Sequence, residues 1–175
     1  IEPSRGLGDV YKRQYQQSVQ KPLEKMTKLI EPCRHLEEIW YKKIPLSKAM
    51  SMRAIKFDER TLKCSASLEP NTNVHGTAFA GSLYAIQALA GWSMVYLQLR
   101  LLKVSASIVI AKGSIDYAKP VAEEILVECK FPNKTTFADD LVSNEKARIE
   151  LSTSVILKND DVASSFSGIY AIKKT

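Results

Sequence analysis

The chain has 175 residues, 45% of them hydrophobic and 25% charged, with a formal net charge of +6. That is enough for one domain with a sizeable core, and too ordinary a mix for a low-complexity or fibrous protein. Its basic residues are scattered rather than striped, which argues against a nucleic-acid partner, and three widely spaced cysteines (Cys33, Cys64, Cys129) exclude a disulfide framework and a CxxC metal site and suit a reducing cytoplasm. No apolar leader run opens the sequence, so no signal peptide is expected.

Residues 1–14, "IEPSRGLGDVYKRQ", show no clear period and read as a flank foreign to the fold. Residues 15–43 read as an N-terminal helical segment. In its first half Leu23, Met26, Leu29 and Ile30 fall at helical spacing, and Pro32 is expected to end or kink that helix. In its second half Leu36, Ile39 and Trp40 share a face, and Pro45 interrupts the pattern. From about Ile44 to the C-terminus the chain reads as one domain. Alternation over 52–57 and 62–68 predicts a hairpin turning near Asp58–Thr61. Pro70 and Asn71 end it.

The stretch "NVHGTAFAGSLYAIQALAGW", residues 73–92, joins a polar, glycine-bearing turn to an uncharged helix. No charged side chain lies between 78 and 99. A helix apolar on all sides is either a membrane span or buried in protein. Ser82, Gln87, Ser93 and Gln98 recur along it, and strand patterns of soluble type flank it, so no membrane span is expected. Burial across 79–97 is the expectation instead. Long strands are predicted at 104–117, 146–158 and 162–173, with a shorter one over "ILVECKF" and a short helix or loop at 135–144. A 22-residue helix is about 33 Å long, close to the span of a ten-residue strand. A long helix embraced by a curved antiparallel sheet, the α+β hot-dog fold, follows from that match of lengths.

"PNTNVHGTAFAGSLYAIQALAGW" and "IVIAKGSIDYAKPV" together resemble the thioesterase-type domain of the YiiD C-terminal family, which has the hot-dog fold, over about residues 44–175. "NVHGTAFAG" is also similar to the turn of PaaI-like acyl-CoA thioesterases, N-x-H-G-x-x-H-G-G. Asn73, His75, Gly76 and Gly81 match it. Phe79 replaces the second His, Ala80 replaces a Gly, and Ala88 stands where those enzymes carry an acid farther along the helix.

The resemblance implies a homodimer or dimer of dimers acting on an acyl-CoA or acyl-carrier-protein thioester. It implies Asn73, His75 and Gly81 as catalytic groups, with Gly76, Thr77, Phe79, Ser82 and Tyr84 against the substrate. In that scheme the Gly81 N–H, in the first turn of a helix, receives the oxyanion, Asn73 holds a water or the carbonyl, and His75 is the base. Each has a plainer reading. Asn73 is a satisfied turn residue, His75 a surface residue, Thr77 a helix cap, and Phe79 a core side chain. No metal and no cofactor is expected, since His35 near Cys33 lacks further ligands. A module that binds an acyl ligand without turning it over is the alternative.

Overall fold

The computed structural model describes residues 12–14, 16, 18 and 30–175. The expectations for 1–11 and for the helical face of Leu23, Met26 and Leu29 lie outside the described residues. Helix α1 is described over 30–43 and runs through Pro32, so the chain does not leave the helix there as expected. Cys33, Leu36 and Trp40 are its buried stripe, at spacings of three and four. Ile44 breaks the helix, and α2 (Pro45–Ala49) restarts with Pro45 in its first turn, where a missing N–H costs nothing.

The hairpin follows as predicted: β1 (Met52–Phe57) and β2 (Thr61–Ala66). Its turn is tied by Asp58, whose Oδ1 accepts from the backbone N–H of Thr61 at 2.7 Å and of Arg60 at 3.2 Å. A 3₁₀ turn over Glu69–Asn71 leads to the polar loop and then to α3 (Ala80–Leu101). The remaining elements are β3 (Ala106–Tyr117), β4 (Ile125–Lys130), α4 (Phe137–Asn144), β5 (Lys146–Ile156) and β6 (Val162–Lys174). The six strands form one open antiparallel sheet in the order β1-β2-β4-β5-β6-β3.

The inner face of this sheet carries the apolar half of each alternating strand. In β5 that half is Ala147, Ile149, Leu151 and Val155. Helix α3 lies on it, with Ile86, Ala90, Met94, Val95 and Leu97 buried to 2% exposure or less. Helix α1 joins the same core through Leu36 and Trp40. This is the hot-dog arrangement that the matched lengths of helix and strand predicted.

The polar side chains of the buried part of α3 find partners for all but one of their atoms among the described residues. Ser93 Oγ accepts from Trp40 Nε1 at 2.9 Å and donates to the Leu89 carbonyl at 2.7 Å. Gln87 Nε2 donates to Ser164 Oγ at 2.7 Å, while its Oε1 is left without a partner.

Burial of α3 is less complete than expected. Phe79, Ala80, Gly81 and Tyr84 are exposed, and Ala88, Trp92 and Tyr96 are only half-buried. The reason is topological. That side of α3 lies along β3, and β3 is the last strand of the sheet, with none beyond it among the described residues to close over the helix. Trp92 Nε1 donates to the Ile108 carbonyl of β3 at 3.3 Å. No helix among the described residues is long and apolar enough to cross a membrane.

Candidate functional site

The loop between the 3₁₀ turn and α3 is a small closed unit. Thr72 and Ala78 form a β-bridge across its base, and Ala78 N–H donates to the Val121 carbonyl at 2.7 Å, pinning the loop to the β3–β4 connection. Asn73 organises the interior. Its Oδ1 accepts from the N–H of His75 at 2.9 Å and of Thr77 at 3.2 Å. Its Nδ2 donates to Thr77 Oγ1 at 3.0 Å and, at a long 3.4 Å, to the Ala78 carbonyl. The Asn73 and Thr77 backbones also bond at 2.8 Å. An Asx-type turn of this kind is what asparagine does readily. Gly76 takes φ +74°, a left-handed conformation that favours glycine over any side chain.

Helix α3 then begins without a side-chain cap. Thr77 was expected to supply one, but its hydroxyl is spent on Asn73, and the residue in the N-cap position is Phe79. The Phe79 N–H is itself taken by the Asn71 carbonyl at 2.6 Å. The N–H groups of Ala80, Gly81 and Ser82 precede the first intrahelical bond, Leu83 N–H to the Phe79 carbonyl at 3.0 Å. Among the described residues nothing caps them. The positive end of the α3 dipole therefore opens outward here. The Phe79 ring, 54% exposed, lies so close to Gly81 that any side chain at 81 would collide with it.

Beside this helix start is a cleft of about 250 Å³. Asn73, Ala80 and Leu83 form one side, and Tyr117, Lys119 and Pro120 the other. Tyr117 reaches across to donate its hydroxyl to the Ala80 carbonyl at 2.9 Å. Burial, then the nearby Tyr84, raises the Tyr117 phenol above its ordinary pKa. Lys119 pairs with Asp161 at 2.5 Å, and that hydrogen bond holds the Asp161 carboxyl below its usual range.

Of the eight residues singled out from sequence, only Asn73 lines this cleft. Phe79 and Gly81 meet at the helix start, with Ser82 next to them. Gly76 and Thr77 shape the loop. His75 belongs to the loop but does not line the cleft, and its exposed side chain makes no hydrogen bond among the described residues. Tyr84 stands one turn farther along α3, over β3. Sequence reasoning missed Tyr117 and Lys119. Their signal lay in "SIDYAKPV", whose polar residues close a strand at the same end as the loop. His35, also weighed as a ligand, is engaged by Tyr96 Oη at 2.9 Å. The described residues contain no group of three His, Cys, Asp or Glu side chains able to hold a metal.

A long helix laid on an open six-stranded antiparallel sheet, with a polar loop at the helix N-terminus, defines a hot-dog protein. The sequence family described as "Putative thioesterase (yiiD_Cterm)" matches residues 33–174, and the chain belongs to that family. The structure is similar to that of a thioesterase, described as putative, from Shewanella oneidensis (35% identity, TM-score 0.75, 81% of this chain and 96% of that one). It is also similar to a protein of unknown function from Chlorobaculum tepidum (30% identity, TM-score 0.77, 82% and 94%). The PaaI protein of the Escherichia coli phenylacetic acid degradation operon shares the fold at 12% identity (TM-score 0.61, 83% and 94%). Membership in this family supports thioester hydrolysis as the general activity.

Proposed function

We propose that the chain hydrolyses an acyl thioester, carried by coenzyme A or by an acyl carrier protein, at the N-terminus of α3. The observation that carries this reading is the uncapped first turn of α3, opening beside a polar loop in a member of a thioesterase family. The thioester carbonyl oxygen accepts from the Gly81 N–H as negative charge develops on it. One such donor is worth about 3 kcal/mol. A water attacks the carbonyl carbon and gives its proton to His75. The C–S bond breaks, and the thiolate leaves with a proton returned from the base.

Asn73 orients the water or the carbonyl through Nδ2, because the 3.4 Å bond to Ala78 is the one most easily exchanged. Phe79, Ser82 and Tyr84 flank the acyl group, and Gly76 and Thr77 hold the loop against it. The reaction so written uses no metal and no cofactor. With no carboxylate between 78 and 99, turnover is slow.

The working unit is a homodimer or a dimer of such dimers. Strand β3 is a 12-residue edge with Val109 and Ile110 exposed, and natural sheets pair or cover such edges. A reducing, cytoplasmic setting fits three buried free thiols.

Thiol release from acyl-CoAs of two to sixteen carbons, and from an acylated carrier protein, tests the reading; sustained release is the expected result. Binding without release favours a second reading, an acyl-binding module, which the missing carboxylate supports. Sedimentation showing only monomer at micromolar concentration refutes the dimer.

A further inference from the structure

Helix α3 and β3 run side by side in opposite directions. Tyr117 meets Ala80, Gly113 meets Tyr84, and Ile108 meets Trp92. Below the N-terminal half of α3, Gly113 of β3 and Gly168 of β6 are paired across the sheet. The space their missing side chains leave is filled by aromatic rings. A Cβ at Gly113 would collide with the Tyr84 hydroxyl and lie 2.9 Å from the Phe166 ring. A Cβ at Gly168 would lie 2.7 Å from Phe166 and 3.0 Å from Tyr170.

These rings are not equally held. Phe166 and Tyr170 are buried, and Tyr170 donates its hydroxyl to the Ala88 carbonyl at 2.8 Å. Tyr84 is 36% exposed and touches Phe166 edge-on at 5.1 Å. Its hydroxyl makes no hydrogen bond among the described residues. A phenol without a polar partner, set over a glycine, acts as a stopper by its bulk.

We infer that Tyr84 limits the length of the acyl group, so that the chain takes short acyl thioesters; this rests on the proposed carbonyl site at Gly81. Tyr84 is three residues beyond Gly81, about 4.5 Å along the axis, room for roughly three or four carbon–carbon steps. Ala88, one turn beyond Tyr84 on the same side of α3, is small and half-buried, so removing the ring extends the room along the helix past residue 84.

The test measures affinity by calorimetry and thiol release for acetyl- to dodecanoyl-CoA, on the wild type, Tyr84→Ala and Tyr84→Phe. In the wild type both quantities fall at least tenfold from butyryl to decanoyl. Tyr84→Ala abolishes or reverses that preference, while Tyr84→Phe, which keeps the ring, retains it. Should the alanine variant not fold, Tyr84→Leu carries the same comparison. The inference is overturned if the wild type treats decanoyl like butyryl, or if Tyr84→Ala leaves the ratio unchanged. Those outcomes leave hydrolysis standing. Binding without release removes hydrolysis alone, since the length limit is then read from affinities. Failure to bind any acyl-CoA removes both.

Discussion

The start and the middle of the uncharged stretch 78–99 behave differently although both lack charge. In its middle, Ser93 and Gln87 are buried; Ser93 Oγ is matched by Trp40 and Gln87 Nε2 by Ser164, leaving only Gln87 Oε1 unpaired among their polar atoms in the described residues. At its start, Ala80, Gly81 and Ser82 are open to solvent or partly so, and their backbone N–H groups have no partner among the described residues. Burying a polar group without a partner costs about 1–3 kcal/mol, so a core must satisfy its polar atoms or exclude them. A site does the opposite. It keeps donors unpaired at a place where a ligand can reach them. One helix offers both settings because its middle lies on the sheet and its start protrudes beside the loop.

The largest expected effect breaks the buried half. Trp40→Ala removes a fully buried indole and the donor to Ser93, and should cost about 3–5 kcal/mol of unfolding free energy in urea titration. The folded fraction of that variant should keep its specific activity, because Trp40 touches nothing at the helix start.

Next comes a change confined to the exposed half. His75→Ala should lower kcat about a hundredfold in a thiol-release assay, the low end of what a general base contributes. Its melting midpoint should stay near that of the wild type, since the side chain is exposed and makes no hydrogen bond among the described residues. Unchanged kcat would make His75 a surface residue and return the proton-transfer role to water.

Gly76→Ala sharpens the contrast from the backbone side. At φ +74° it should cost roughly 1–2 kcal/mol by strain alone, because nothing lies within 4 Å of the added carbon. Activity should fall with it if the loop must hold its shape.

The smallest effect lies in the sheet under the buried half. The hydrogen bond from Lys130 at 2.9 Å, reinforced by Lys63 at 3.2 Å, holds the Glu128 carboxyl below its ordinary pKa. A depressed folded pKa means stability that is present above the unfolded value. It is lost as the pH falls through the folded one. Glu128→Gln should therefore be less stable by under about 1 kcal/mol at neutral pH, since both lysines are half or more exposed. The gap should close on acidification, as followed by thermal melts across that range.

Much of the fold was legible because periodicity reports burial directly. The alternation in 146–156 and 162–174 marks strands with one wet face. The absence of charge in 78–99 marks a helix that water does not surround. Pro32, expected to end or kink its helix, does not end it. Proline has no N–H to donate and its ring crowds the turn before it, so it disfavours a helix interior without forbidding one, and the residue alone does not say which outcome holds. At the site, Asn73, Gly76 and Gly81 could be named from the loop motif. The cap assigned to Thr77 failed because Asn73 competes for the same hydroxyl, a contact that depends on the loop's closed shape.

By itself, then, the sequence determined the elements, the family resemblance and the identity of the loop at the helix start, since these depend on local chemistry and on period. Tertiary structure alone decided which side of α3 stays open, that Tyr117 and Lys119 face Asn73 across a cleft, and that Tyr84 fills the place of a missing Cβ at Gly113. The last two relations join residues 29 or more apart in the chain. They are set by strand order and by helix placement on the sheet, and no local pattern encodes either.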